Sequence, residues 1–353
     1  MRGWLMGVLV AIVALASLIG AFNALVDPFQ HYRVASAPRF YTLHHRYINP
    51  GIAKHAAYDT VVSGSSIMEN TRADVVAVAC GGAAVNLAMP AMSAAEQRLM
   101  LSTALRARRV RRVIAVLDFN EFAGAPDARQ DVAGPLPRYL YDDNPFNDLP
   151  YLLSYDILRK SWDIVVGATR EEFRTDPTAP WYWAQRKRFG RSEVLSGLNL
   201  RDLNARYRQP VRTLDGMRAS FERNLLPVVQ THPQTEFDFV WPPYSILVWM
   251  DFAQRDQLEV TFAFKRYVYE ALKPYANAKI IDLQAEESVT HDLDRYTDLY
   301  HFAPDVNDWL VRQACARSGA DAATLAAAEQ HLRAQIARLQ PPGALEAFAA
   351  GSN

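Results

Sequence analysis

Hydrophobic positions come first as an unbroken block. From Gly3 to Val26 there are 24 residues without a charge. A helix of that length covers roughly 36 Å, enough for a hydrocarbon core of about 30 Å. Arg2 precedes the block and Asp27-Pro28 closes it, because proline disfavours helix at the residue before it. Positive charge ahead of the span predicts a cytoplasmic N-terminus with the rest of the chain outside. Ala14-Leu15-Ala16 would suit signal-peptide cleavage. The apolar run, however, continues ten residues beyond it, from Ser17 to Val26, which favours a retained anchor. The expectation is a single-pass protein of a bacterial inner membrane with a periplasmic main domain.

Beyond the anchor the pattern changes. Residues 28–55 are rich in aromatics, His and Arg and read as a juxtamembrane connector. Short apolar, β-rich runs then alternate with helical periodicity. Strands are predicted at Tyr58–Gly64, Val113–Leu117, Phe237–Trp241 and Ala278–Leu283. Ser93-Ala94-Ala95-Glu96 has the spacing of a capping box and predicts a helix to about Arg108. Further helices are predicted at 257–272, 305–318 and 321–340. The rhythm is lost between 123 and 235, where Tyr, Trp, Arg, Asn and Pro are frequent and helical pieces appear at 149–166 and 214–230. The predicted architecture is α/β: an N-terminal transmembrane helix, then a doubly wound, mainly parallel sheet flanked by helices, with a long, mostly helical insertion. The segments are an anchor (1–27), a connector (28–55), an α/β domain (56–122 and 236–341), an insertion or lid (123–235) and a flexible tail (342–353).

Composition narrows the function classes. Half of the 353 residues are apolar, and 38 basic residues balance 38 acidic ones. Neutrality disfavours nucleic acid as a partner, and a mean hydropathy of −0.13 disfavours a multi-span transporter. Two cysteines, Cys80 and Cys315, exclude a cysteine-rich metal site, and the sequence leaves open whether they pair or stay as buried thiols. His44, His45 and His55 lack the spacing of a metal site, so no metal and no cofactor is expected. The Arg cluster at 106–112 reads as a solvated helix end.

Three blocks that carry polar chemistry sit where predicted strands end or near the C-terminus. Gly64-Ser65-Ser66 follows the first strand. Asp118-Phe119-Asn120-Glu121 follows the second, and an asparagine there suits an oxyanion. Asp298-Leu299-Tyr300-His301 places a carboxylate three residues before an imidazole it can orient. Trp241 and Tyr244 follow the third strand at the expected rim. Trp181, Tyr182, Trp183 and Tyr139 are aromatics suited to stacking on sugar rings, Trp183 being the strongest candidate.

In this order the blocks resemble the SGNH, or GDSL-like, hydrolase superfamily over roughly residues 55–122 and 236–315. Gly64-Ser65-Ser66 matches its nucleophile block with Ser65 in place of Asp. Asp118 to Glu121 matches its Gly-x-Asn-Asp block with Asp118 in place of Gly. Asp298 to His301 matches its final Asp-x-x-His block fully. The resemblance implies Ser66 as nucleophile, His301 as base and Asp298 as orienting carboxylate. Asn120 would be an oxyanion donor, with Gly82 or Asn86 as a further donor. The anchor and the Ser-Ser variant are similar in layout to proteins of alginate O-acetylation and teichoic-acid D-alanylation. The implied function is a serine esterase or O-acyltransferase acting on an envelope or exported polysaccharide. Its expected partners are a glycan or acylated polymer, the membrane, and a membrane acyl-donor protein. The alternative is a non-catalytic glycan-binding or assembly factor on the same scaffold.

Overall fold

The computed structural model describes residues 1–34, 44–128, 136–167 and 183–351. Helix α1 (Arg2–Val26), whose most apolar 18 residues have a mean hydropathy of 2.6, is long and apolar enough to cross a membrane. Asp27, in the left-handed region at φ 50°, caps it, and its carboxylate accepts the backbone N–H groups of His31 (2.8 Å) and Tyr32 (2.9 Å). Helix α2 (His45–His55) follows.

The described residues then build one five-stranded, wholly parallel open sheet in the order β2-β1-β3-β4-β5. Its strands are β1 (Thr60–Ser63), β2 (Ala84–Asn86), β3 (Arg112–Val116), β4 (Glu236–Trp241) and β5 (Ala278–Asp282). Val61 lies opposite Val113, Val113 opposite Phe237, and Phe237 opposite Ala278. Parallel neighbours need crossovers. Helix α3 (Ala73–Cys80) joins β1 to β2, and α4 (Ala94–Ala107) joins β2 to β3. The capping box at the start of α4 is formed: Ser93 N–H donates to Glu96 Oε2 at 2.9 Å, and Glu96 N–H to Ser93 Oγ at 3.3 Å. The segment between β3 and β4 carries α5 (Leu149–Leu152), α6 (Tyr155–Val165), α7 (Arg191–Leu195), α8 (Leu214–Asn224) and α9 (Leu226–Thr231). Helices α10 (Ile246–Gln254) and α11 (Leu258–Leu272) join β4 to β5. After β5 come α12 (Glu287–Thr290), α13 (Pro304–Ala316), α14 (Ala322–Leu339) and α15 (Ala344–Ala350).

Several elements differ from expectation. Strand β2 was not foreseen, since three residues are too few to carry a period. Helix α10 has Ile246 to Phe252 all buried, so it has no polar face to mark it. The predicted helix 149–166 breaks at Leu153-Ser154 into α5 and α6, and 214–230 breaks before Pro227 into α8 and α9. The expected flexible tail instead forms α15, with Leu345 and Ala349 buried. The Arg cluster is engaged: Arg111 Nη2 donates to the Gly81 carbonyl at 2.6 Å, and Arg112 pairs with buried Asp238 at 3.2 Å.

The core is aromatic on one side of β3 and β4. Phe119 stacks on Trp241 with centroids 4.9 Å apart, and Phe122 meets Phe264 at 5.0 Å. Cys80 at the end of α3 and Cys315 on α13 form a disulfide across 235 residues of sequence. It ties the segment behind β1 to the helix that follows His301. Closing so long a loop restricts the unfolded chain, so a Cys80→Ser/Cys315→Ser variant should lose about 2–5 kcal/mol in denaturant unfolding. An unchanged unfolding midpoint would mean that the bridge contributes nothing.

Candidate active site

The chain runs from β1 outward to β2, then returns to β3 on the other side of β1. In open parallel sheets such a reversal opens a crevice at the carboxyl ends of the two strands. Here the loops that follow β1 and β3 carry Ser65-Ser66 and Asp118 to Glu121.

The turn after β1 is tight. A Cβ at Gly64 would stand 3.1 Å from Met68 Cγ and 3.2 Å from Val116 Cβ, so a larger residue would push β1 and β3 apart. The two serines then separate by role. Ser65 is buried and donates its hydroxyl to Asp118 Oδ2 at 3.0 Å, tying the β1 loop to the β3 loop. Ser66 opens the 3₁₀ turn Ser66–Met68, is half-buried, and holds its Oγ 2.8 Å from His301 Nε2.

His301 arrives on a loop pinched by the antiparallel bridge between Tyr296 and Phe302, with Thr297 N–H donating to the His301 carbonyl at 3.0 Å. Within it, Asp298 folds back on its own turn. Its Oδ1 accepts the N–H groups of Tyr300 and His301, both at 2.8 Å, and its Oδ2 lies 2.8 Å from His301 Nδ1. The carboxylate thereby fixes the tautomer, with Nδ1 as donor and Nε2 free to accept from Ser66. Burial by itself lowers the His301 pKa, but the charge and hydrogen bond of Asp298 outweigh it and hold the imidazole above its ordinary value. For Asp298, burial raises the carboxyl, and the His301 charge with the two backbone N–H bonds brings it below the usual range. The pair is not sealed off: the His301 side chain is 29% exposed.

The loop after Ser66 is clamped from both sides by buried amides. Asn86 Nδ2, at the end of β2, donates to the carbonyls of Met68 (2.7 Å) and Thr71 (2.9 Å). Asn307 Nδ2, on α13, donates to the carbonyl of Ile67 (2.8 Å) and to Thr71 Oγ1 (3.2 Å). Asn86 therefore positions the Ser66 loop and is not an oxyanion donor. Gly82 is not one either. It precedes β2 beside Asp59, level with the start of β1, at the opposite end of the sheet from Ser66. Its φ of 91° and the Asp59 carboxylate, which a Cβ would strike, explain the glycine locally.

Asn120 sits in the 3₁₀ turn Phe119–Phe122, capped by Asp118, whose Oδ1 accepts the Asn120 N–H at 3.0 Å. Its side chain is oriented by a residue the sequence did not single out. Arg212 Nη1 donates to Asn120 Oδ1 at 3.1 Å. Arginine has no acceptor, so that contact assigns the oxygen and leaves the Asn120 NH2 turned elsewhere. Arg212 is buried, with its guanidinium 4.3 Å from the centre of the Phe252 ring. Next to Asn120, Glu121 is buried, and desolvation, reinforced by the Asp118 charge, raises its carboxyl well above the usual range.

The aromatic candidates divide. Trp183 is at the site: its Nε1 donates to the Ser66 carbonyl at 2.9 Å, and its ring meets His301 edge-on at 5.4 Å. Trp241 and Tyr244 do not line it. Both are buried in the core, Trp241 against Phe119 and Tyr244 edge-on to Tyr300 at 5.5 Å. Tyr139 is half-buried against the core. Trp181 and Tyr182 lie outside the described residues. Beyond β2, Ala91 holds a left-handed backbone at φ 48° in a loop fastened to the Gly64–Ser66 turn by Met89 N–H donating to the Gly64 carbonyl at 3.1 Å. An alanine there carries no sequence signal, because glycine is the residue that usually marks such a backbone.

Compared with known proteins, the chain matches no family model and no curated sequence.

Proposed function

We propose that the protein is an extracytoplasmic serine esterase or O-acyltransferase, SGNH-like in its chemistry, acting on a cell-envelope or exported polysaccharide. The observation that carries the reading is the continuous relay from Ser66 Oγ to His301 Nε2 (2.8 Å) and from His301 Nδ1 to Asp298 (2.8 Å). A nucleophile, a base and an orienting carboxylate with the tautomer fixed form the constellation needed for acyl transfer. On this reading the sheet is doubly wound, with helices α3 and α4 returning on opposite faces.

In the first step Ser66 Oγ bonds to the ester carbonyl carbon while its proton passes to His301 Nε2. The oxyanion is met by the Ser66 backbone N–H and the Asn120 NH2. Collapse breaks the ester C–O bond, and His301 returns the proton to the departing alcohol. Water or a sugar hydroxyl, deprotonated by His301, then attacks the acyl-serine and releases Ser66. Which of the two acts decides between hydrolysis and transfer. Export is supported by α1 and by the Cys80–Cys315 disulfide, which suits an oxidising compartment such as a periplasm. A glycan acceptor is supported by the Trp183 ring beside His301.

The reading is tested with the full chain in detergent and an activated acetyl ester, and by comparing the acetyl content of the native glycan in wild-type and Ser66→Ala strains. Activity and acetylation unchanged in Ser66→Ala would favour the non-catalytic glycan-binding alternative. The orientation of Asn120 gives a second test. Losing one oxyanion donor costs on the order of 10²–10³ in turnover. Arg212→Met should approach that loss in kcat with little change in KM, since the freed amide no longer holds its NH2 toward the nucleophile. With Asn120→Ala the two losses should not add. Fully additive losses, or an effect confined to KM, would remove Arg212 from the oxyanion site.

A further inference from the structure

The segment that packs on α1 is itself apolar on its outer side. Helix α5 runs against the C-terminal part of α1: the Gly20 Cα has no side chain, and a Cβ there would lie 3.7 Å from Leu152 Cβ. Asn23 is the one buried residue of α1, and its Nδ2 donates to the Leu152 carbonyl at 2.8 Å. That bond pairs a carbonyl at the end of α5 with the Nδ2 donor of the one buried polar side chain of the apolar helix. Below it, Tyr151 donates its hydroxyl to Asp27 Oδ1 at 2.8 Å, so α5 is fixed in register with the end of α1.

From this anchored position a continuous set of large apolar side chains faces outward. Phe146 is 90% exposed, Tyr155 76% and Trp162 59%, and Leu149, Leu153 and Val166 are exposed as well. On α6, Tyr155, Trp162 and the adjoining Val166 share one face, since spacings of seven and four return to the same side. The opposite face, Ile157, Lys160 and Ser161, is buried against the protein. Exposed apolar patches of this kind mark an interaction surface. The exposed charges beside the face, Asp156 and Arg159, cancel.

The occupant follows from α1. Its 25 residues measure about 37 Å against a hydrocarbon core of about 30 Å. Gly20 lies six residues from Val26, about 9 Å from the end of the helix. The contact with Leu152 and Leu153 therefore falls at the boundary of the leaflet at that end. We propose that Phe146 through Val166 form an interfacial membrane element, α5 and α6 lying in the headgroup–acyl boundary beside α1 and immersing Phe146, Leu149, Leu153, Tyr155, Trp162 and Val166. Interfacial helices sink by about 5–10 Å and use aromatic residues at that depth. The chain then meets the bilayer at two elements, which sets the orientation of the sheet over the membrane surface as well as its tether.

The proposal rests on α1 spanning the bilayer, and one experiment separates the two. The native cysteines are joined, so single new cysteines take a nitroxide in the full chain reconstituted in phosphatidylethanolamine/phosphatidylglycerol vesicles. Labels are placed at Phe146→Cys, Trp162→Cys and Val166→Cys, with Leu15→Cys in α1 as lipid control and the exposed Val78→Cys and Val211→Cys as water controls. Relaxation by oxygen is compared with relaxation by a water-soluble nickel chelate. Preference for oxygen at 146, 162 and 166, as at 15, is the expected result. Preference for nickel there, with oxygen preferred at 15, overturns the interfacial element and leaves the anchor standing. Low access to both reagents overturns it in favour of a protein partner, and dipolar broadening that vanishes on spin dilution identifies that partner as a second copy. Nickel access at 15 removes the anchor and the interfacial element with it.

Discussion

Ser66→Ala should reduce turnover of an activated acetyl ester by on the order of 10⁶, leaving only the residual catalysis an oxyanion site gives by itself. On the proposed reading Ser66, and not Ser65, is the nucleophile, because geometry separates the two. Ser65 spends its hydroxyl on Asp118 at 3.0 Å and is buried, whereas Ser66 lies 2.8 Å from the histidine and is partly open. Ser65→Ala should accordingly lose loop positioning rather than the reacting group and fall far short of Ser66→Ala. A His301→Ala variant should be as slow as Ser66→Ala, and the double variant no slower than either, because the two groups act in one step. Steady-state rates across the four variants check this. Equal losses at Ser65 and Ser66, or additive losses at Ser66 and His301, would contradict the assignment.

Asp298→Asn should cost on the order of 10⁴ in kcat and also move the pH profile. The carboxylate does two things to His301. It holds Nδ1 as the donor, and, against burial, it keeps the imidazole pKa above about 6.5. The base must be neutral to accept the Ser66 proton, so kcat/KM in the native protein should rise with pH through a value above that figure. An amide in place of the carboxylate removes the largest raising influence and leaves desolvation, which lowers the pKa. The ascending limb must therefore move to lower pH as the plateau drops. A profile between pH 5 and 9 measures both. A limb that stays in place or moves up would show that Asp298 does not govern the histidine.

The triad was legible in the sequence because each member belongs to a short local pattern. A glycine closes β1 before Ser66, and the Asp298 turn needs only three residues to bring carboxylate to imidazole. The sheet was legible where strands are fully buried, as at Val113 to Val116, and was missed at β2, which has three residues. The oxyanion side was read poorly because its parts meet only in space. Asn86, an oxyanion candidate by its place in the chain, instead clamps the Met68 and Thr71 carbonyls. Gly82 answers to Asp59 at the far end of the sheet. Arg212 lies 92 residues from the asparagine it orients, inside a segment without periodicity. Trp241 ends β4 and Tyr244 follows it, as expected of a rim, but both turn inward, because the ring of Phe119 offers them a core. The interval 123–235 was read as one lid. Its described parts divide their attachment, with α5 and α6 on α1, and Trp183 and Arg212 at the triad and its asparagine.

The most direct test of the central claim, that Ser66 is a nucleophile activated by His301, needs no knowledge of the substrate. The full chain is incubated with a fluorophosphonate, digested, and mapped by mass spectrometry. The account predicts one adduct per chain, on Ser66, formed rapidly by the native protein and lost in both Ser66→Ala and His301→Ala. Absence of the adduct from the native protein, or labelling that persists at the native rate in His301→Ala, would contradict it.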